Sequence, residues 1–296
     1  MDDYTRRFGP LRDPRVADEI AGLDAARDCQ RIARLLAVYE FPWDLQRSLE
    51  LGLLYTFGSA SVARVLATTR QFERHGQKRY DDTQLLINRF VVSGWDGDYG
   101  RRAIARMNEI HARYPIANDD FLFVLWTFID FPLRCTRDFA WRPFTDHEAL
   151  AWFHFWRGVG ARMNITAIPE TYEDFAAFVG SYEREQFVPG ENPRRVAEAT
   201  MNVLREMLPA PLRPAVRPVA VCLMPERLRL VLGDPPPPRA LRAAVHTTLR
   251  ARARLERRVP LSAYPARFER IETRTYGTGA PPPESLGPDR EAPRAS

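Results

Sequence analysis

Lysine is almost missing from this chain: Lys78 stands alone among 43 basic residues, and every other cation is an arginine. Against 38 acidic residues this leaves a formal net charge of +5, too small an excess to argue for nucleic acid as a partner. Cysteine is scarce as well. Cys29, Cys135 and Cys222 are odd in number, far apart and never in a C-x-x-C pair, which argues against a disulfide framework and a cysteine zinc site and points to a reducing compartment. Long apolar runs are also missing. The longest, residues 121–129, falls well short of the ~20 residues that span a bilayer. The N-terminal Met1-Asp2-Asp3-Tyr4-Thr5-Arg6-Arg7 has no apolar run behind its charges, so it does not read as a secretory signal. The expectation is a cytoplasmic protein without a transmembrane segment.

Missing motifs narrow the chemistry further. His147-Glu148 opens like the zinc-protease H-E-x-x-H, but Ala151 stands where the second imidazole is needed. No Glu-x-x-His pair is present to build a carboxylate-bridged di-iron bundle. Gly158-Val159-Gly160 has no preceding strand pattern and no third glycine in register, so it is not a dinucleotide loop. There is no G-x-S-x-G, no P-loop and no C-x-x-C-H, so any haem would be held without covalent attachment.

What remains is a chain of 296 residues, 45% hydrophobic and 27% charged, long enough for one large domain with a substantial core. Apolar residues recur every three and four positions from Asp13 to Leu208, which predicts an all-α protein. The spacing predicts helices over 25–39, 45–57, 61–71, 82–92, 99–114, 119–131, 146–163, 172–186, 193–207 and 240–257. Thr145-Asp146-His147-Glu148 fits a capping box, in which hydroxyl and carboxylate each satisfy an unpaired first-turn amide. Asn118-Asp119-Asp120 places a capping side chain and two carboxylates at a helix N-terminus, and Asn192-Pro193 reads as a cap and a first-turn proline. Prolines at 209, 211, 214, 218, 225 and 235–238 break the last third into short pieces. Residues 209–276 read as a strapping region and basic helix on a single domain spanning 1–276, and 277–296 as a disordered tail.

Five histidines remain. His111 shares a helix face with Ile104, Met107, Ile110 and Tyr114, so it points inward. It is either a hydrogen-bonded core residue or an axial ligand, since a neutral imidazole on a rigid helix facing an apolar cavity is what a b-type haem iron requires. His154, within Trp152-Phe153-His154-Phe155-Trp156, reads as core. His147 reads as a first-turn residue, and His75 and His246 as solvated. Helical spacing brings Arg79 and Thr83 one turn apart with Asp82 on their side, so a cation, a hydroxyl and a carboxylate can converge. Equally, Asp81 or Asp82 can cap the helix, leaving Arg79 as a surface charge.

Between Leu54 and Tyr182 the chain resembles a known family, the haem-dependent oxygenases related to latex-clearing protein and the MpaB oxygenase. The resemblance is carried by Lys78-Arg79-Tyr80-x-Asp82-Thr83, by Arg106-Met107-Asn108-x-Ile110-His111-x-x-Tyr114 and by Asn118-Asp119-Asp120. It continues through Trp141-Arg142-Pro143-x-Thr145-Asp146-x-Glu148 and Phe155-Trp156-x-x-Val159-Gly160-x-x-Met163-x-Ile165. The pattern is closer to the MpaB branch. It implies a globin-like helical core around haem b, His111 as the proximal iron ligand, and Arg79 and Thr83 on the haem or distal side. The rubber-cleaving branch has a lysine just before the threonine. Asp82 stands there instead, and no counterpart of that branch's upstream catalytic glutamate is found, which disfavours polyisoprene cleavage. Asp82 could itself act as acid or base near the iron.

The resulting expectation is an enzyme that uses dioxygen to oxidise or cleave a small hydrophobic substrate, such as an isoprenoid or aromatic natural product, with an external electron donor as an option. Arg79, Asp82 and Thr83 are its catalytic candidates, and His111 its metal ligand. Phe121, Phe123, Trp126, Trp152, Phe155 and Trp156 are candidate pocket walls or plain core. Two other classes stay open: a haem sensor or carrier without turnover, and a cofactor-free helical module docking to an acidic membrane surface through the basic helix 239–258.

Overall fold

Capping signals and three-four apolar spacing carry most of the chain into helix. In the computed structural model, which describes residues 4, 13–258, 273–279 and 281–288, these residues form thirteen α-helices and no strand. In chain order they are α1 (Pro14–Gly22), α2 (Cys29–Leu35), α3 (Pro42–Thr56), α4 (Ala60–Thr69), α5 (Gln71–Ser93), α6 (Asp98–His111) and α7 (Asn118–Phe139). There follow α8 (Asp146–Arg162), α9 (Tyr172–Gln186), α10 (Glu191–Glu206), α11 (Val216–Leu223), α12 (Glu226–Leu232) and α13 (Arg239–Arg258). The all-α architecture is the expected one. Among the described residues, no single helix is long and apolar enough to cross a membrane.

Three of the expected helices differ by more than a turn, each for a local reason. The helix expected over 25–39 splits into α2 and a π turn, Leu36–Glu40, closed by Phe41 N donating to Leu36 O at 2.8 Å before Pro42 opens α3. The helix expected over 82–92 runs back to Gln71 across a kink at His75, through charged residues that the apolar pattern does not reach. The helix expected over 119–131 continues to Phe139 through Pro132. A proline inside a helix removes the amide that would bond the carbonyl four residues back. That carbonyl, Phe128 O, instead accepts from the indole Nε1 of Trp152 on α8 at 3.0 Å. One cross-helix bond thus replaces the lost one.

The core is aromatic. Trp152, Trp156, Phe41, Phe57, Phe90, Phe123, Phe155 and Phe175 are fully buried, and each such side chain contributes about 2–3 kcal/mol. Helices approach closely where glycine permits. A Cβ on Gly52 of α3 would lie 3.0 Å from Thr127 O of α7, and one on Gly160 of α8 would lie 2.6 Å from Leu125 Cδ2. The expected capping box forms at the start of α8, where Arg142 also donates to both oxygens of Glu148 and to Glu40.

The C-terminal segment corrects the expectation of a disordered tail from 277 onward, as far as 288. Thr273 and Gly277 close a small bridge, and residues 281–288 lie across α5 and α6. Tyr99 Oη donates to Pro281 O at 2.8 Å, Arg102 pairs with Glu284, and Arg106 Nε donates to Leu286 O at 2.8 Å. Composition alone misled here, because the segment is held by one fully buried leucine, Leu286, and by backbone carbonyls that accept from Lys78, Tyr99 and Arg106, contacts that a proline- and glycine-rich composition does not report. The remainder of the expected tail, 289–296, lies outside the described residues.

Candidate functional site

The middle of α5 carries two sets of polar residues that serve different partners. Asp81 and Asp82 are buried on the side covered by the C-terminal segment. Asp81 accepts from Gln77 Nε2, Thr275 N and Thr275 Oγ1 at 2.6–3.0 Å. Asp82 accepts from Lys78 Nζ at 2.8 Å, Tyr276 Oη at 2.6 Å and Gly287 N at 3.0 Å, while Lys78 Nζ also donates to Gly287 O at 2.7 Å. The chain's single lysine therefore works as a clamp. Gly287 is in the left-handed region at φ +90°, and a Cβ there would meet Ile110 Cδ1 at 2.4 Å. Glycine is required where the segment crosses the last turn of α6.

Arg79 and Thr83 form the other set. Arg79 Nη1 donates to Thr83 Oγ1 at 2.5 Å, and Thr83 Oγ1 donates to Arg79 O at 2.8 Å. The guanidinium lies over the ring of Phe72, 5.6 Å from its centroid. Burial disfavours its charge and nearby Asp82 partly restores it. An arginine keeps its proton regardless. Among the described residues no carboxylate comes within ion-pair distance of it.

Both side chains open onto a cavity of about 200 Å³. Its walls come from α3 to α8, with Pro288 of the C-terminal segment closing one edge. Leu66, Leu86, Phe90, Val124, Phe128 and Val159 are typical of its lining, which is overwhelmingly apolar. His111, the last residue of α6, projects into it. The ring is held edge-on against Phe121, with centroids 5.3 Å apart, and its Nδ1 is buried without a hydrogen-bond partner. A helix C-terminus ordinarily favours a protonated imidazole. Here burial, with the charge of Arg79 second, pushes the pKa down to about 4, so the ring is neutral at physiological pH.

The structure thus brings Arg79, Thr83 and His111 to one cavity and turns Asp82 away from it. The convergence of cation, hydroxyl and carboxylate expected from helical spacing is corrected in this respect: Asp82 anchors the C-terminal segment. Of the aromatic wall candidates, Phe121 and Trp156 line the cavity, whereas Phe123, Trp126, Trp152 and Phe155 are core. His246 is not solvated as expected. It packs edge-to-face with Phe139, centroids 5.1 Å apart, and lies 3.3 Å from Cys222 O.

Sequence reasoning missed two features. Asp120, expected as a helix-end carboxylate, is on the cavity wall and accepts from Ser61 Oγ at 2.7 Å and Tyr182 Oη at 2.5 Å. Beside the main cavity, and sharing Leu53, Thr83, Ile87 and Phe128 with it, lies an annex of about 40 Å³. Its wall includes Asn88, 4% exposed, and Glu50, which Tyr80 Oη hydrogen-bonds and whose pKa burial raises. No motif marks either, because their partners come from distant helices.

Fold and cavity together define a class: an all-α protein with a deep apolar pocket that offers one neutral imidazole and one buried cation to whatever enters. The family model described as ER-bound oxygenase mpaB/B'/Rubber oxygenase, catalytic domain, matches residues 45–255, and the chain belongs to that family. It is similar to the ER-bound oxygenase mpaB' of Penicillium brevicompactum, 28% identical over 226 residues, which cover 70% of this chain and 53% of that protein. It is also 27% identical over 217 residues to the ER-bound oxygenase mpaB of Penicillium roqueforti (strain FM164), covering 67% and 73%. The mpaB of P. brevicompactum is 27% identical over 229 residues, covering 71% and 58%. The chain spans little more than half the length of the two P. brevicompactum relatives.

Proposed function

We propose that this chain is a haem b-dependent oxygenase that uses dioxygen to oxidise a hydrophobic organic substrate, with His111 as the residue that would hold the iron. The family supports the oxygenase reading. The observation that carries the cofactor is the pairing of His111 with Arg79 in one apolar cavity. His111 offers a neutral imidazole with an unsatisfied Nδ1, and Arg79 is a half-buried residue whose guanidinium is desolvated and has no carboxylate in ion-pair reach among the described residues. A buried charge without a counter-ion is costly, so such a site suits a ligand that brings its own anion. Haem b answers both groups, with an iron that takes one protein nitrogen and carboxylates that suit a guanidinium. Among the described residues no three of His, Cys, Asp or Glu converge, so a metal here would draw its other ligands from a non-protein group.

Bound there, haem b would supply the redox chemistry with dioxygen, which no side chain of the cavity can provide. The chain's own part is narrower. His111, rigid at the end of α6, would hold the cofactor through its unpartnered Nδ1. Arg79, fixed by Thr83 Oγ1, neutralises negative charge within the cavity. Thr83 spends its proton on Arg79 O, so its role is to position the guanidinium. The apolar lining excludes water and selects hydrophobic substrates, and Pro288 forms part of its rim.

The test is the absorption spectrum of the purified protein with haem added, oxidised and after dithionite, beside that of His111→Ala. A Soret band in the wild type that is lost or shifted in the variant supports the assignment. No Soret band in either would sink it. Dioxygen uptake that depends on added hydrophobic substrate then separates an oxygenase from a haem carrier.

A further inference from the structure

The modest charge of the whole chain hides an asymmetry. Residues 209–258 contain eleven arginines against Glu226, Asp234 and Glu256, a net of +8, whereas the complete chain carries only +5. The excess is concentrated on α13. Seven of its twenty residues are arginines, and its one acid, Glu256, is buried. The segment's other cations are engaged: Arg213 with Leu208 O, Arg217 with Glu198 and Asp234, Arg227 with Glu183, Arg229 with Glu226 and, on α13 itself, Arg252 with Asp44. Arg239, Arg242, Arg250, Arg254, Arg257 and Arg258 are exposed and have no ion-pair partner among the described residues.

Their spacing makes a surface of them. Arg250, Arg254, Arg257 and Arg258 are separated by four, seven and eight positions, and Arg239 lies three turns before Arg250, so all five fall on one face of the helix. One flank of that face, with Ala253 and Glu256, is buried against the body. At the C-terminal end of α13 two apolar groups stand in solvent: Leu255, 51% exposed, and Trp43, 37% exposed, whose ring supports the Arg252 guanidinium at 3.7 Å.

We propose that this face of α13 docks the protein on an anionic phospholipid surface. Like charges exclude a second copy of the same face as its occupant. A stripe of unpaired cations, with the exposed Leu255 at its edge next to Arg258, matches the headgroup layer, where arginines meet phosphate, whereas Trp43 sits with Arg252 on the far side of the helix. A long nucleic acid would instead have to track across the rest of the molecule, whose 246 other residues carry a net −3. The surface serves an enzyme with a hydrophobic substrate, but it follows from charge and exposure alone and holds whether or not the cavity takes haem.

The experiment is co-sedimentation of the full chain with vesicles of phosphatidylcholine alone and of phosphatidylcholine mixed with phosphatidylserine, at low and high salt. Binding is expected to the mixed vesicles only, and to weaken with salt. Neutralising one arginine costs about fivefold in partitioning, so Arg250→Gln with Arg254→Gln lowers it at least tenfold. The control pair Arg64→Gln and Arg74→Gln removes equal charge from exposed sites on α4 and α5 and leaves binding close to wild type. Circular dichroism confirms that both variants fold. No binding to the mixed vesicles, or an equal loss in both pairs, overturns the proposal. So does tighter binding to a duplex oligonucleotide that the α13 pair alone abolishes, which would make the face a nucleic-acid site.

Discussion

Asp82 separates two accounts of the same residue, and replacing it tells them apart. As an acid or base beside a cofactor, its loss would lower turnover and leave the fold intact. As an anchor, its loss would loosen the C-terminal segment. The carboxylate is 1% exposed and accepts three hydrogen bonds, one from the charged Lys78. Asp82→Ala removes a charge-assisted bond worth about 1.5–3 kcal/mol and strands the Tyr276 hydroxyl and Gly287 amide, each at a further cost of about 1–3 kcal/mol if it stays buried. Relaxation of the segment toward water limits the sum, which we place at about 3–5 kcal/mol. For a chain of this size that corresponds to a fall in Tm of roughly 6–15 °C. Asp82→Asn keeps one acceptor oxygen but turns an NH2 toward donors, and is expected to cost about half as much. Thermal unfolding by circular dichroism measures both, and limited proteolysis should show cleavage within 273–288 in the alanine variant. An unchanged Tm with cleavage no faster than wild type would refute the anchor, and the acid-base role would return.

The pH dependence of stability follows from His111. Its folded pKa of about 4 lies below the ordinary 6.5, so the unfolded chain binds the proton first. The contribution is complete above about pH 6.5 and is lost as pH falls toward 4, by about 3 kcal/mol at most. Urea titrations across that range should show wild type losing more stability than His111→Gln as the pH falls, and parallel curves would show that the ring is not buried neutral. Arg79→Met should stabilise the haem-free protein by about 1–3 kcal/mol by removing a buried cation, while weakening haem binding at least tenfold in a spectroscopic titration. A destabilised haem-free variant would mean that Arg79 already has its counter-ion. Trp152→Phe strands Phe128 O beside Pro132 and should cost about 1–3 kcal/mol in urea unfolding. No cost would show that the proline's lost bond is not replaced there.

Helix identity was legible from periodicity because the pattern that buries an apolar stripe is written in neighbouring residues. So were the α8 capping box and the inward aim of His111, which depend on residues within one or two turns. The direction of Asp82 was not legible. On the helix it lies within about 100° of both Arg79 and Thr83, and which side it serves depends on Tyr276 and Gly287, some two hundred residues later. The ordered segment 281–288 was hidden for the same reason. Its binding runs through carbonyls of proline- and glycine-rich backbone to Lys78, Tyr99 and Arg106, and composition cannot report such contacts.

The two polar sets of α5 show how one helix can divide structural and functional charge. Asp81 and Asp82 have every donor they need within the folded chain, so their burial stabilises and no ligand is required to complete them. Arg79 and His111 are the reverse. The guanidinium has a hydroxyl where a buried cation calls for a carboxylate, and the imidazole has a buried nitrogen with nothing to bond. Deficits of this kind cost stability in the free protein, and a site that retains both in one apolar cavity gains most when a ligand supplies an anion and a Lewis acid together. The thermodynamic consequence is that haem should raise the Tm of the wild type by more than its affinity for either single variant would suggest. His111→Ala and Arg79→Met should each lose part of that gain, and the double variant should lose nearly all of it. Additive losses would place the two residues in separate sites, whereas a coupling beyond about 0.5 kcal/mol would tie them to one bound group.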